Sequence, residues 1–167
     1  LLKAAARVDL NLNEPLDDDG NCILHMACQS APRADVLLPL VKVKGVRATL
    51  ENARKYSPLH FLCQCAPYAD APAVAGALLD RGARVDARTR NGETALHMAV
   101  MNPYADVGAE LVKFLLGHGA TVDVASVHGE TPLFVAVRRS LDTVAGMLLR
   151  KGADPSRKCG QPPVRSP

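Results

Sequence analysis

The chain has 167 residues, a formal net charge of +3, 48% hydrophobic residues and only 4% aromatic ones, with no Trp. That length suits one domain with a real core, built here from Ala, Leu and Val so that elements can lie close together. The charge is too small to argue for nucleic acid by itself, and no apolar run approaches membrane-spanning length.

The five cysteines, Cys22, Cys28, Cys63, Cys65 and Cys159, are odd in number, and four fall inside helical patterns. They read as reduced thiols of a cytoplasmic or nuclear protein, not as a disulfide framework.

Residues 1–10, LLKAAARVDL, read as a helix tail and an outgoing loop. No Met and no signal peptide opens the chain, so a segment of a longer chain is expected. An Asn- and Asp-rich loop ends at Asp17-Asp18-Asp19-Gly20. Then comes Asn21-Cys22-Ile23-Leu24-His25-Met26-Ala27, a tight turn, a helix cap and the first turns of a helix.

The same reading recurs. The second copy is Tyr56-Ser57-Pro58-Leu59-His60-Phe61-Leu62, and the third is Asn91-Gly92-Glu93-Thr94-Ala95-Leu96-His97-Met98-Ala99. The fourth is Gly129-Glu130-Thr131-Pro132-Leu133-Phe134-Val135-Ala136. Cys22, Ser57, Thr94 and Thr131 are equivalent, 35, 37 and 37 residues apart. The units also close alike, at Leu78-Leu79-Asp80-Arg81-Gly82-Ala83, Leu115-Leu116-Gly117-His118-Gly119-Ala120 and Leu148-Leu149-Arg150-Lys151-Gly152-Ala153. The glycine suits a left-handed helix C-cap. Gly45, Gly82 and Gly119 each precede the next Ser or Thr cap by 12 residues. The expected units are 17–51, 52–88, 89–125 and 126–156. Residues 1–16 end a partial unit, and 157–167, rich in Pro, form a further partial unit or loose tail.

This pattern resembles the ankyrin repeat, with its G-x-T-P-L-H-x-A helix start and L-L-x-x-G-A ending in units of about 33 residues. The resemblance implies an all-α solenoid of stacked helix–turn–helix units with β-turn tips. Residue chemistry agrees: Ser57, Thr94 and Thr131 can cap a helix, and Pro58 and Pro132 suit its first position. The family His is expected to hydrogen-bond across neighbouring loops. Each Leu face needs a neighbouring unit to bury it.

The departures are specific. Cys22 replaces a capping hydroxyl, so the first helix should be less well capped. Lys55 stands where the turn glycine belongs, in a left-handed conformation that strains it mildly. Phe134 replaces the His. Three units carry an insert between their helices: Pro32-Arg33-Ala34-Asp35, Pro67-Tyr68-Ala69-Asp70 and Pro103-Tyr104-Ala105-Asp106. The Pro ends one helix and the Asp can cap the next. As structure these are spacers; as function, Tyr68 and Tyr104 would form a sticky ridge.

Chemistry finds no foothold. His60 with Cys63 and Cys65 lacks the ligands of a closed zinc site, and His60 belongs to the repeat pattern. No nucleophile elbow, phosphate loop or H-E-x-x-H occurs. No catalytic, cofactor-binding or metal-binding residue is expected, and no cofactor or small-molecule substrate.

The resemblance implies a protein partner held by turn tips and the inner helix. Carried over, the contact positions are Asp18, Asp19 and Asn21; Arg54, Tyr56 and Gln64; Arg90, Asn91, Glu93, Met101 and Asn102; and His128, Glu130, Arg138 and Arg139, with Tyr68 and Tyr104 from the inserts. Charge along them should run from acidic to basic. Asp86 and Asp123 stand where family members can be hydroxylated, although a turn-stabilising role is the simpler reading. Irregular unit lengths resemble the ankyrin proteins of poxviruses and SOCS-box adaptors, which would make the partner a ubiquitin-ligase substrate or subunit. The expected function is protein recognition by an adaptor or inhibitor segment. The alternatives are a spacer or scaffold domain of a multidomain enzyme or receptor, or a regulator of a transcription factor or nucleic-acid-bound protein. Neither a membrane nor direct nucleic-acid contact is expected.

Overall fold

The computed structural model describes residues 11–30 and 33–157. The readings of residues 1–10 as a helix tail, of 158–167 as a partial unit, and of Pro32 and Cys159 lie outside them. Among the described residues there are eight helices and no strand: α1 (Ile23–Ser30), α2 (Ala34–Lys42), α3 (Pro58–Cys65), α4 (Ala71–Asp80), α5 (Ala95–Met101), α6 (Ala105–Gly117), α7 (Pro132–Arg138) and α8 (Asp142–Arg150). They alternate between two layers. The odd helices pack in a row, α1 on α3 on α5 on α7, and the even helices in a second row, α2 on α4 on α6 on α8. Each odd helix also packs on the even helix that follows it.

Repetition produces the core. Leu24, Leu59, Leu96 and Leu133, two residues after each cap, are buried, as are Leu37, Leu78, Leu111, Leu115 and Leu148 of the outer layer. Burying one such side chain contributes ~1.5–3 kcal/mol, and most of that burial lies between units. Small residues set the approach. A Cβ on Gly108 would come within 2.6 Å of the Ala99 carbonyl oxygen, so glycine lets α6 lie directly on α5.

Ser57, Thr94 and Thr131 cap their helices as expected, two of them with a histidine as reciprocal partner. His60 Nε2 donates to the Ala87 carbonyl (3.0 Å), which leaves Nδ1 as acceptor for the Ser57 backbone N–H (3.0 Å) and hydroxyl (2.8 Å). Thr94 and His97 repeat this, with His97 Nε2 on the Glu130 carbonyl at 3.1 Å. Ser57 and Thr94 thereby close reciprocal capping boxes with His60 and His97, while Thr131, facing Phe134 instead of His, accepts from the Phe134 backbone N–H at 3.2 Å with no side chain returning the bond. Cys22 behaves like Ser57: its N–H and thiol both meet His25 Nδ1, at 3.2 and 3.0 Å, and His25 Nε2 reaches the Tyr56 carbonyl at 3.0 Å. The thiol therefore replaces the hydroxyl in its contact with His.

The inserts do not repeat one geometry. Pro67 and Pro103 lie just beyond the ends of α3 and α5, as expected. Asp70 is the residue before α4, without a side-chain cap bond, whereas Asp35 and Asp106 lie inside the first turns of α2 and α6. There they complement the helix dipole rather than cap a backbone N–H.

Candidate functional site

Four fingers, at residues 17–21, 52–56, 89–93 and 126–130, each precede a helix pair. Each tip is closed by a backbone bond, such as Thr89 N–H to the Glu93 carbonyl (2.9 Å) and Ser126 N–H to the Glu130 carbonyl (2.9 Å). Neighbouring fingers are laced together by Ala53 N–H to Asp19 (2.8 Å), Arg90 N–H to Arg54 (3.0 Å) and Val127 N–H to Asn91 (2.8 Å). A side chain at the base holds each turn: Asp17 Oδ1 accepts from Asn21 N–H, Asn52 Oδ1 from the Arg54 and Tyr56 N–H groups, Thr89 Oγ1 from Glu93 N–H, and Ser126 Oγ from the His128 and Glu130 N–H groups. Asp17, Asn52, Thr89 and Ser126 lie five residues before each cap. Sequence reasoning missed this series. Its signal was present, since all four residue types bond their own turn backbone.

Lys55 is left-handed at φ 61°, as its place among Gly20, Gly92 and Gly129 requires. A Cβ on Gly92 would sit 3.2 Å from the backbone N of Val127, so a side chain on the third finger would be strained by a tight approach as well as by conformation.

The sequence-chosen positions divide by burial. Asp18, Arg54, Arg90, Asn91, Tyr104, His128, Arg138 and Arg139 are exposed, and Asp19, Tyr56, Gln64, Tyr68, Met101, Glu93 and Glu130 are partly buried. Asn21 and Asn102 are 4% and 2% exposed. Asn21 Oδ1 accepts from Asn52 Nδ2 (2.9 Å), and its own Nδ2 donates to Asp17 (2.7 Å). Asn102 Nδ2 donates to the carbonyls of Cys63 (2.9 Å) and Ala66 (3.1 Å), capping the end of α3 from the next unit. Both asparagines hold units together.

The two insert tyrosines also separate. Tyr104 is 50% exposed. Tyr68 packs against the core, its hydroxyl is buried without a hydrogen-bond partner, and burial pushes its pKa up. A ridge of paired tyrosines does not form; Tyr104 stands out and Tyr68 turns in. Tyr56 tilts over Phe61, ring centroids 5.1 Å apart.

The charge gradient is partly neutralised within the fold. Arg54 pairs with Asp19 at 3.1 Å, and Arg138 pairs with Glu130. Arg139 donates to the Met101 carbonyl (2.7 Å), and Arg88 to Gly92 (3.1 Å) and to Ala125. Asn21 hydrogen bonds hold Asp17 below the usual carboxylate range. Among the finger cations, Lys55 and Arg90 are exposed and make no ion pair with a described residue.

Asp86 accepts from the Thr121 N–H (3.0 Å) and hydroxyl (2.6 Å), and Asp123 accepts from the Asp154 N–H (3.1 Å). Both aspartates bridge successive units. Burial pushes the Cys28 and Cys63 thiols up. Burial also acts to raise Cys22, but its hydrogen bonds to His25 outweigh this and lower it. No group of three or more His, Cys, Asp or Glu among the described residues could hold a metal ion. No described helix is long and apolar enough to cross a membrane.

Comparison with known proteins decides the family, because the family described as Ankyrin repeats (3 copies) matches residues 59–159, more than half the chain. The chain belongs to the ankyrin-repeat family. Ankyrin repeats are in general protein–protein interaction modules, and that sense carries to this chain. A similar protein is a probable serine/threonine-protein kinase of Dictyostelium discoideum, 38% identical over 138 residues. The match covers 83% of this chain and 16% of the relative, so the chain spans a small part of that protein's length.

Proposed function

We propose that this ankyrin domain binds a partner protein through its finger tips and the adjoining face of its odd-numbered helices, as the adaptor or inhibitor part of a longer chain. The observation that carries the reading is the laced finger row. Four turns are fixed by their own backbone and by base side chains, so the tip residues are presented at low ordering cost. The contact set is Asp18, Lys55, Arg90, Asn91, Glu93, Gln64, Met101, Tyr104, His128 and Arg138, with Asp19, Arg54, Tyr56, Glu130 and Arg139 shaping it. Asn21, Asn102 and Tyr68 act through the fold. A protein or peptide partner fits a surface that mixes unpaired cations, amides and half-buried apolar side chains. We assign the domain to the cytoplasm or nucleus, where its four described cysteines, all free, stay reduced. A ubiquitin-ligase substrate or subunit is one partner class this adaptor reading admits.

A second reading is favoured by the kinase relative, of which the match covers 16%. The domain would then be a repeat module that positions other parts of a multidomain protein. Affinity capture from extracts of the source cells distinguishes the two. Arg90→Glu should lose specific proteins that the wild type retains, at an unchanged melting temperature. Retention of the same proteins would favour the spacer.

A further inference from the structure

The even-numbered helices end in a basic ridge away from the finger tips, and it is densest across the first two units. Lys42, Lys44, Arg47, Arg81 and Arg84 are all exposed there. Arg81 crosses the junction, donating from Nη2 to the carbonyls of Val43 (3.1 Å) and Val46 (3.0 Å). Asn13 fixes the same turn by donating to the Gly45 carbonyl (2.8 Å) and accepting from the Arg47 N–H (2.9 Å). None of the five cations joins an ion pair with a described residue. The exposed Asp80 beside Arg81 pairs with none of them, so the ridge is an ordered surface of net positive charge.

Helix chemistry explains only part of it. Cations near a helix C-terminus complement the dipole, which accounts for Lys42, Lys44 and Arg81. It does not account for Arg47 and Arg84, which lie in the turns beyond. Those two stand two residues after Gly45 and Gly82, where the third and fourth units place Thr121 and Asp154. The fold thus accepts a neutral or an acidic residue at this position. Nor is Arg81 spent on its own helix, since both its acceptors belong to the preceding unit.

We propose that this ridge is a second docking surface, for an extended acidic segment of a protein. Five cations over two stacked units, ~10 Å apart, need an extended run of at least about four residues at ~3.3 Å each. Neither stretch that carries the ridge, residues 41–51 and 79–88, contains an aromatic ring on which a base could stack, which favours a carboxylate-rich peptide over a single-stranded nucleic acid. The proposal is independent of the finger reading, because the two surfaces share no residue.

The test uses the full chain and two probes, a fluorescein-labelled hexaglutamate peptide and a labelled thymidine hexanucleotide, read by fluorescence anisotropy at low and near-physiological salt. Lys44→Glu, Arg47→Glu and Arg84→Glu together should weaken peptide binding about tenfold or more. The melting temperature should fall by no more than a few degrees, the part expected from placing an acid at Lys44 near the C-terminus of α2. Arg90→Glu on the finger row should leave peptide binding within about twofold. Should the triple variant fail to fold, Arg47→Gln with Arg84→Gln is read the same way, for a loss of about threefold. The proposal is overturned if the wild type ignores the peptide, if the oligonucleotide binds more tightly, or if Arg90→Glu weakens the peptide as much as the ridge variants do.

Discussion

Three imidazoles show how single residues hold this solenoid. His25, His60 and His97 each accept at Nδ1 from their own cap and donate at Nε2 to the next unit. Protonating Nδ1 removes the acceptor. Burial, the largest cause, lowers the His60 pKa from 6.5 to about 4, and burial lowers His97 as well. The folded pKa is depressed, so the unfolded chain binds protons first as pH falls. Stability should be fully present above pH 6.5, decline toward pH 4 and then level for this group. Urea unfolding across that window should show His60→Gln less stable than wild type at neutral pH but with a shallower slope. An equal slope would remove His60 from the explanation. Asn102→Ala should cost ~2 kcal/mol by equilibrium unfolding, because two carbonyls at the end of α3 lose their donor. Lys55→Gly should raise stability by ~0.5–1 kcal/mol by relieving the left-handed backbone, seen as a higher melting temperature.

At the scale of elements, close approach decides. Gly108→Ala would drive a methyl into the Ala99 carbonyl, and backbone on both sides leaves it little room to yield. A loss of ~2–3 kcal/mol is expected in urea unfolding, and an unchanged midpoint would show that α5 and α6 can part cheaply. Much of this level was legible in the chain. Repeated caps, the Leu two residues later and the closing glycines located the helix pairs, because local capping and inter-unit burial impose the same period. The first residue of each even helix was less legible. Asp35, Asp70 and Asp106 look alike in sequence, yet Asp70 precedes its helix and the others lie inside theirs. The bond from His60 or His97 back to its own cap was not legible, because the repeat pattern points that His at the neighbouring loop.

The whole molecule presents two sets of charges that sequence order alone does not separate. Asp19 and Glu130 looked like free partner contacts, but folding sets them against Arg54 and Arg138. Asn102 looked like its exposed neighbours, but the stacking of units turns it onto α3. The finger row stays accessible and so, separately, does the ridge at the ends of the even helices. The central claim concerns the finger row, and photocrosslinking reads it whatever the partner is. Benzoylphenylalanine would replace Arg90 on the third finger and Gln64 on α3, with Ala73 on α4 and Thr143 on α8 as outer-layer controls. After irradiation in cells, discrete protein adducts are predicted from Arg90 and Gln64 and not from the controls. Adducts from Ala73 and Thr143 with none from Arg90 and Gln64 would contradict the account.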